Sequence, residues 1–543
     1  MSSVTPRPSG TRDRRSRPRS SPGSTMPGNP LAKFRKSKMH MALKDHVALL
    51  NDSLAAPTSK TVPLWINGDW HDGTSAAPMP CIDPTLGAPL VDVATAGTEE
   101  IAAAVKAAEV AQLAWWAMDG QDRARILRRI ADGIRQHARA LGSLDTLDAG
   151  RPIRDTVPRD TERAARIFEF FAGTTDRLRG AAVPVQPGRS NTIEYEPIGL
   201  VGAITPWNYP LTNAAGKIAP ALATGNAVIL KPAEESPLSA LMLAWVAHQA
   251  GLPAGMLNVL NGTGASVGAE LVAHPAIGKI SFTGSTSVGR LIGARAGTAL
   301  KSVTLELGGK TGFLVFADAD LETAADALVF SAFNNAGQTC TAGSRLLVEA
   351  SVADRFLALV AARIAALRIG DPLDPDTQIG PVISSRHLAE ILRRLSEAEG
   401  SGLTSLDLPA HDLPDQGYFL QPTVYTGVDP ANAIAQDEIF GPVLSVTTFH
   451  GDDAALAIAN GTPYGLATTV WTTDLNRARR FSREAQSGIV WINTAHSLHP
   501  GSPYGGYKQS GLGVEMGQEA IQQHMRIKTI WIEDGKWVSP WAL

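Results

Sequence analysis

The sequence has only two cysteines, Cys81 and Cys340, among its 543 residues. Two cysteines cannot build the disulfide framework of a small secreted domain, so we expect a reducing compartment and a cytoplasmic protein. The sequence also lacks an apolar run long enough to cross a bilayer, because Asp, Arg or Gly interrupts each helix-like stretch. We therefore expect no membrane partner.

Neither positive nor negative charge is in large excess. The formal net charge is -3 at pH 7, which gives no electrostatic reason to expect a nucleic acid as the main partner. No spaced cluster of metal-ligating residues occurs, and we predict no metal site. The hydrophobic fraction of 44% and the length of 543 residues are typical of a globular protein with two or three domains.

The first part of the chain differs in composition from the rest. It is rich in Arg, Ser and Pro and poor in acidic residues, and we predict a disordered basic extension over residues 1–60. An organelle transit peptide and a basic tail that touches an anionic partner are two explanations. A start codon placed too early is a third, since Met26, Met39 and Met41 precede the ordered pattern. The Arg-Ala-Gly-Pro bias of the whole chain favours the third explanation.

Ordered patterning begins with a hairpin whose turn is formed by Asn67 and Gly68. A helix is predicted to follow with Thr98 as its N-cap, and a second amphipathic helix runs over about residues 122–141. From Gly199 onward, short apolar runs alternate with helical stretches, one of which is predicted over residues 236–249. The apolar runs are residues 200–204, 227–230, 257–260, 279–282 and 303–305.

This alternation predicts an α/β fold with a parallel sheet covered on both faces. Ligands are then expected at the carboxyl ends of the strands. A second α/β unit is predicted from Gly312 to about Trp491. Near the end of the chain, Ile527–Ile532 alternates as a strand does and needs a partner edge, for which another subunit is one candidate.

Two segments at strand ends are suited to a nucleotide. The turn Gly284–Gly289 precedes a helix, and its backbone N–H groups could cradle a phosphate, although a tight turn also requires small residues. Lys231 and Glu234 could hold ribose hydroxyls, or they could belong to a helix-capping loop. If Glu234 binds a ribose, its charge disfavours a 2′-phosphate and favours NAD over NADP.

Three further residues suggest chemistry. The amide of Asn208 could donate to an oxyanion or satisfy the local backbone. Cys340 follows a Gly-Gln turn and is either a buried small residue or a nucleophile. Glu306 ends the last strand of the first sheet, before two glycines that allow a ligand to approach the backbone closely.

In their order and separation, these segments resemble the aldehyde dehydrogenase superfamily from about Leu64 to the C-terminus. The chain end around Ile527–Trp531 is similar to that of its broad betaine-aldehyde-dehydrogenase-like group. The motifs that carry the resemblance are TPWN at Thr205–Asn208, KPAE at Lys231–Glu234, FTGSTSVG at Phe282–Gly289, ELGGK at Glu306–Lys310, FNNAGQTC at Phe333–Cys340, EIFGPV at Glu438–Val443 and PYGGYKQSG at Pro503–Gly511.

The resemblance implies catalytic roles. Cys340 would attack the aldehyde, and the Asn208 amide with the Cys340 backbone N–H would hold the oxyanion. Glu306 would activate the water that hydrolyses the thioester. Lys217 and Glu515 match positions proposed to relay protons in some members, although valine stands before Glu515 where the family commonly has arginine. Relatives that acylate coenzyme A often lack the glutamate, so its presence favours hydrolysis. A coenzyme A-acylating enzyme and a non-catalytic relative are the alternatives.

The resemblance also implies an NAD site, with NADP less favoured. Glu438 would bind the nicotinamide ribose beside Phe440, Lys231 and Glu234 the adenosine ribose, and Ser285 the pyrophosphate. The full set of expected cofactor-binding residues is Ile204, Thr205, Trp207, Lys231, Glu234, Gly264, Gly284, Ser285, Val288, Gly289, Leu307, Glu438 and Phe440.

The architecture implied is an aldehyde dehydrogenase-like fold with three parts. A Rossmann-type NAD-binding domain would comprise residues 61–178 and 200–308, and an α/β catalytic domain residues 309–500. A small β oligomerisation arm and the C-terminal segment would comprise residues 179–199 and 501–543. A homodimer or homotetramer is expected.

The substrate is expected to be an uncharged aliphatic or aromatic aldehyde. Thr339, Thr341, Tyr209 and the loop Thr494–Ser502 would shape the pocket entrance. That loop contributes His496 and His499, which are interpreted as solvent-facing residues, and it has no charged group that would require a phosphorylated or cationic substrate.

Overall fold

The computed structural model describes residues 61–73 and 76–541. The basic extension predicted over residues 1–60 lies outside the described residues. In the part of the chain that is described, no helix is both long enough and apolar enough to span a bilayer.

The first large sheet has eight strands, and its five central strands are parallel. The hairpin predicted at its edge is present, with Asn67 and Gly68 both at positive φ in the turn. In spatial order the strands are Gly511–Leu512, Ser302–Glu306, Ile277–Thr283, Leu200–Ile204, Ala227–Lys231, Leu257–Val259, Leu64–Ile66 and Asp69–His71. The strand Gly511–Leu512 therefore belongs to this sheet rather than to the arm.

The helices that accompany this sheet follow the predicted pattern with two differences. The first helix is capped by Gly97, not Thr98, because the Glu100 side chain accepts a hydrogen bond from the Gly97 N–H. The helix predicted over residues 122–141 is two helices that meet at His137. The helices are Thr98–Ala117, Gly120–Gln136, Ala138–Ala149, Ile153–Asp155, Thr161–Ala172, Pro210–Ala223, Leu238–Gln249, Ala269–Ala273 and Thr286–Thr298, with π-turns at Thr156–Asp160 and Gly264–Gly268.

The second large sheet has six strands, all parallel. In spatial order they are Thr423–Tyr425, Val443–Phe449, Arg345–Glu349, Gly312–Val315, Ala467–Trp471 and Ile489–Ile492. Its helices are Leu321–Phe333, Ala353–Ala365, Ser385–Gly400, Ala433–Gln436, Gly451–Asn460 and Leu475–Glu484, with 3₁₀ turns at Asn334–Gly337 and Ala350–Val352. Each of the two large sheets is packed on its own hydrophobic core.

Three smaller sheets complete the fold. The C-terminal strand Met525–Glu533 pairs antiparallel with Arg189–Pro197 of the same chain, so one of its edges has a partner without another subunit. Ala181–Val183 extends this sheet. The other two small sheets contain Thr61–Val62, Ala88–Val93 and Met79–Asp83 in one, and Tyr464–Gly465 and Tyr507–Lys508 in the other. The remaining short helix is Glu519–Gln522.

Candidate active site

A cavity of about 390 Å³ brings together Cys340, Glu306 and Asn208, which lie far apart in the sequence. Glu306 ends a strand of the eight-stranded sheet, and Asn208 lies in the loop after another of its strands. Cys340 comes from the loop between the helix Leu321–Phe333 and the strand Arg345–Glu349 of the six-stranded sheet. The cavity thus takes its walls from both large sheets.

The backbone before Cys340 is unusual. Asn335, Ala336 and Gly337 have φ values of 54°, 55° and 72°, in the left-handed region that most residues avoid. A Cβ on Gly337 would lie 2.1 Å from the Gly441 carbonyl oxygen, so only glycine fits there. This tight turn fixes where the following segment enters the cavity.

The Cys340 thiol has a hydrogen-bond partner that was not predicted. The Tyr504 hydroxyl oxygen lies 3.0 Å from the Cys340 Sγ. Burial raises the pKa of the Cys340 thiol to about 11, and the hydrogen bond with Tyr504 opposes this rise. Burial also raises the pKa of Tyr504 well above its ordinary value, so its hydroxyl remains a donor. The only sequence signal for Tyr504 was its place in the PYGGYKQSG motif.

The Glu306 carboxyl is buried, and among the described residues neither of its oxygens has a hydrogen-bond partner. Burial raises the pKa of Glu306 well above its ordinary value; the Glu515 charge raises it further, and Lys217 lowers it. A solitary buried carboxyl is costly to ionise, and groups of this kind are concentrated at catalytic sites.

Lys217 and Glu515, expected as a proton-relay pair, are in contact. The Lys217 ammonium donates to Glu515 and, at 3.1 Å, to the Ser281 hydroxyl. The Ser281 hydroxyl donates in turn to Glu515 at 2.9 Å. Valine before Glu515 therefore does not prevent the pairing, and the three side chains form a buried polar cluster (the Lys217 cluster) whose charges act on Glu306.

Both the side-chain amide and the backbone carbonyl of Asn208 are hydrogen-bonded. Its side-chain amide donates to the Gln338 carbonyl at 3.1 Å. Its own carbonyl accepts from the Asn335 side-chain amide at 3.0 Å and from Arg151 at 3.4 Å. Asn208 and the loop of Cys340 are therefore cross-linked by hydrogen bonds, and both line the cavity.

Lys231, Glu234 and Gly264 lie together at the carboxyl end of the eight-stranded sheet. The Glu234 carboxylate accepts from the Gly264 N–H at 2.6 Å and lies 3.9 Å from the Lys231 ammonium. The Lys231 ammonium also donates to the Pro232 carbonyl at 2.9 Å. Burial lowers the pKa of Lys231.

Ser285 caps the helix Thr286–Thr298 by accepting from the Val288 N–H at 3.4 Å, and the Gly284 N–H donates to the Glu306 carbonyl at 3.0 Å. A Cβ on Gly289 would lie 2.3 Å from a methyl of Leu307, so a side chain at that position would have to displace Leu307. The turn Gly284–Gly289 is therefore tight. It is also suited to a phosphate, because the positive N-terminal end of the helix Thr286–Thr298 lies in it.

Glu438 and Phe440 line the same cavity. The Glu438 carboxylate accepts from the Gly309 N–H at 3.0 Å, and burial raises the pKa of Glu438 to about 7. Phe440 has a φ of 58°, and its ring meets that of Trp207 edge-on at 5.3 Å. Ile204 and Thr205 are the last residue of a central strand and the residue that follows it.

The interpretation of His496 as solvent-facing is wrong. Its Nε2 lies 3.0 Å from the Ser331 hydroxyl, its ring stacks on Trp491, and it lines the cavity. Burial, with a smaller contribution from the charge of Arg163, lowers the pKa of His496 to about 4. His499 is exposed, as predicted, and Thr339, Thr341 and Tyr209 line the cavity.

Comparison with known proteins identifies the family and the fold of the chain. The model of the aldehyde dehydrogenase family matches residues 70–530. A putative aldehyde dehydrogenase from Burkholderia cenocepacia is 40% identical, with a TM-score of 0.86, over 89% of this chain and 100% of that one. Betaine aldehyde dehydrogenase from Staphylococcus aureus, solved with NAD⁺, is 34% identical with a TM-score of 0.86 over 90% and 98% of the two chains. An indole-3-acetaldehyde dehydrogenase solved with NAD⁺ is 37% identical with a TM-score of 0.85 over 90% and 99%.

Proposed function

This chain belongs to the aldehyde dehydrogenase family, and we propose that it oxidises an aldehyde to the carboxylic acid with reduction of NAD, through a thioester on Cys340. The observation that carries the proposal is that Cys340, Glu306 and Asn208 line one cavity beside the end of the eight-stranded sheet. A nucleophile, a base and an amide donor in one cavity are the groups that such an acyl-enzyme reaction requires.

The residues present fit an NAD molecule. The Glu234 carboxylate and Lys231 offer an acceptor and a donor for ribose hydroxyls, and the helix that begins at Thr286 offers its N-terminus for the pyrophosphate. Structural neighbours of this chain were solved with NAD⁺. A 2′-phosphate would meet the negative charge of Glu234, which supports NAD over NADP. When bound, the cofactor accepts a hydride.

The thiol must lose its proton before it can attack the aldehyde carbon, and we propose that this proton passes to solvent water. Because burial raises the pKa of Cys340 to about 11, the thiol is protonated at neutral pH. We propose that the Tyr504 hydroxyl stabilises the thiolate by donating to Sγ. Attack then forms a C–S bond, and the former carbonyl oxygen becomes an oxyanion, which the Asn208 amide and the Cys340 backbone N–H are proposed to hold.

Loss of hydride from the thiohemiacetal carbon leaves a thioester on Cys340. We propose that Glu306 then takes a proton from water, so that hydroxide adds to the thioester carbonyl carbon. The C–S bond then breaks, the acid leaves, and the Cys340 thiolate regains a proton from Glu306. A raised pKa makes the ionised Glu306 a stronger base than an exposed glutamate. The Lys217 cluster is proposed to exchange protons with Glu306 through its own titratable groups.

We propose a homodimer or homotetramer built on the arm. The strand Met525–Glu533 is at the edge of its sheet, and three large apolar side chains on it are exposed: Ile527, Trp531 and Ile532. An exposed apolar edge strand is suited to a second copy of the chain. The division into a cofactor domain (residues 61–178 and 200–308), a catalytic domain (309–500) and an arm stays a proposal, as does a cytoplasmic location, which the two free cysteines support.

The proposal is tested by incubating the purified protein with a panel of aldehydes and following NADH, with NAD and NADP in separate assays. NADH formation with an acid product, faster with NAD, is the expected result. Addition of coenzyme A separates hydrolysis from acyl transfer, because only an acylating enzyme yields a coenzyme A thioester. Failure of every aldehyde on the panel to produce NADH would contradict the proposal.

A further inference from the structure

Arg163 is a charged side chain in the catalytic cavity with no partner among the residues that the structure describes. It lies in the first turn of the helix Thr161–Ala172 and lines the cavity. The residues around it on this helix are paired, since Glu162 binds both Arg135 and Arg166. Among residues 61–73 and 76–541, the guanidinium of Arg163 makes no hydrogen bond and no ion pair.

The charge of Arg163 acts on two other side chains that line the cavity. It adds to the lowering of the His496 pKa by burial, and it opposes the rise that burial gives to the pKa of Tyr504. The charges that act on Glu306, in contrast, are those of Glu515 and Lys217. Tyr504 also contacts the Cys340 thiol, so the nucleophile and the Arg163 charge act on the same side chain of the cavity.

The other ionisable groups of the cavity do not compensate this charge. Glu438 binds the Gly309 N–H, and Glu515 binds Lys217. Glu390 forms ion pairs with two other arginines, Arg393 and Arg394. His496 is neutral at neutral pH because its pKa lies at about 4. Apart from the base Glu306, Arg163 is therefore the charged side chain of the cavity for which the described residues provide no hydrogen-bond or ion-pair partner.

We propose that Arg163 binds a carboxylate at the far end of the substrate, so that the enzyme acts on semialdehydes, which carry an aldehyde at one end and a carboxylate at the other. The inference rests on the proposed function. A guanidinium in a partly desolvated cavity is stabilised by an anion, and its planar fork matches the two oxygens of a carboxylate. The expectation of an uncharged aldehyde rested on the loop Thr494–Ser502 alone, whereas Arg163 reaches the cavity from a helix distant in sequence.

The test compares semialdehydes, called the acids below because they carry a carboxylate, with uncharged aldehydes of equal chain length. Succinate semialdehyde is paired with butanal, and adipate semialdehyde with hexanal, so that two chain lengths sample the span from Cys340 to Arg163. In at least one pair, the wild-type enzyme is expected to prefer the acid by about tenfold or more in kcat/KM, because a hydrogen-bonded charge pair forms only with the acid.

Arg163→Met is expected to lower kcat/KM for the preferred acid by about tenfold to a hundredfold, chiefly through KM, because the contact is present in both ground and transition states. The matched aldehyde should change by less than about threefold, and Arg163→Lys should recover part of the loss. Arg166→Met is the control: it removes the same charge from the same helix, but its side chain is 65% exposed and lies outside the cavity.

Three results would overturn the inference. These are equal use of acid and aldehyde by the wild type, an equal loss for both substrates in Arg163→Met, and an equal loss for the acid in Arg166→Met. In each of these cases NADH is still produced from an aldehyde, so the proposed function survives. Absence of NADH with all four compounds and with the wider panel would instead contradict the proposed function.

Discussion

The two large sheets position their catalytic groups by different physical means. In the eight-stranded sheet, Lys231 and Glu306 are the last residues of parallel strands, and Thr205 directly follows a third. Their positions are therefore fixed by the hydrogen-bond ladder itself. In the six-stranded sheet, Cys340 lies in a loop after three residues with positive φ, and hydrogen bonds with the distant residues Asn208 and Ile383 hold that loop.

The strand hydrogen bonds therefore fix the side of the cavity that carries Glu306, whereas the position of Cys340 depends on a strained turn. Each left-handed non-glycine residue costs about 1–2 kcal/mol, and Asn335 and Ala336 are two such residues. The cost is offset by buried contacts, including those that Gln338 makes with Ile383 and Asn335. Changes on the two sides should therefore affect activity and stability in separable ways.

The largest effect is expected when the nucleophile alone is removed. Cys340→Ala should lower aldehyde oxidation by about 10⁴-fold or more, because no other group can form the thioester. NAD binding, measured by calorimetry, should persist, since the change leaves every residue expected to bind NAD in place. Cys81→Ala is the matched control, because Cys81 is buried outside the cavity and should be dispensable for turnover. A Cys340→Ala enzyme that still oxidises aldehydes would refute the assignment.

Loss of the base Glu306 should leave the first half of the reaction intact, from attack by the thiol to loss of hydride. Glu306→Gln is expected to lower kcat by about 10²-fold or more, because general-base assistance to water is lost. Rapid mixing should still show a burst of NADH equal to the enzyme concentration. A variant with unchanged kcat would remove Glu306 from deacylation.

The strained turn is tested by Gly337→Ala. The new Cβ would meet the Gly441 carbonyl at 2.1 Å in a left-handed backbone, and the free energy of unfolding should fall by about 3 kcal/mol. Gly427→Ala is the control: it has a similar φ of 65° with no atom within 4 Å, so it should cost only about 1 kcal/mol. Denaturant unfolding measures both. Equal losses would show that the turn before Cys340 is not held by contact.

Loss of the Tyr504 hydroxyl should change the reactivity of the Cys340 thiol more than the stability of the fold. Its hydrogen bond opposes the rise in the Cys340 pKa, so Tyr504→Phe should move that pKa above about 11. At any lower pH the thiolate fraction then falls, and alkylation of cofactor-free enzyme by iodoacetamide should slow by about tenfold. Tyr507→Phe, an exposed change in the same motif, should leave the rate unaltered. Faster alkylation of Tyr504→Phe would contradict the assigned hydrogen bond.

The smallest effect is expected at Glu234. Because this carboxylate is 38% exposed, solvent screens it, and Glu234→Gln should raise the preference for NADP relative to NAD by only about threefold. Steady-state kinetics with both cofactors measure the ratio. Glu270→Gln, an exposed change nearby in sequence, should not alter it. An unchanged ratio in Glu234→Gln would exclude this residue from cofactor selection.

The contrast between the sheets also explains what the sequence could predict. The strand Leu200–Ile204 was predicted with the bounds it has, because continuous apolar runs between glycines and prolines identify buried parallel strands. Residues at such strand ends, including Glu306 and Lys231, were therefore placed at the ligand edge by pattern alone. The helix break at His137 has no such signal, because the apolar pattern continues across it.

The other wall of the cavity could not be predicted in this way. Tyr504 and His496 reach it from the connection after the strand Ile489–Ile492, and Arg163 reaches it from the helix Thr161–Ala172. Their meeting depends on how the two sheets and this helix pack. The same holds for the turn at Asn335 and Ala336, whose left-handed backbone is imposed by long-range contacts rather than by local preference.

The central claim is that an acyl group is carried on Cys340 and released by Glu306. The most direct measurement is the mass of Glu306→Gln after a single turnover with NAD and an accepted aldehyde, followed by peptide mapping. The account predicts an added acyl mass on the peptide that contains Cys340, absent in the double variant with Cys340→Ala. Full NADH release without any adduct, or an adduct on another peptide, would contradict it.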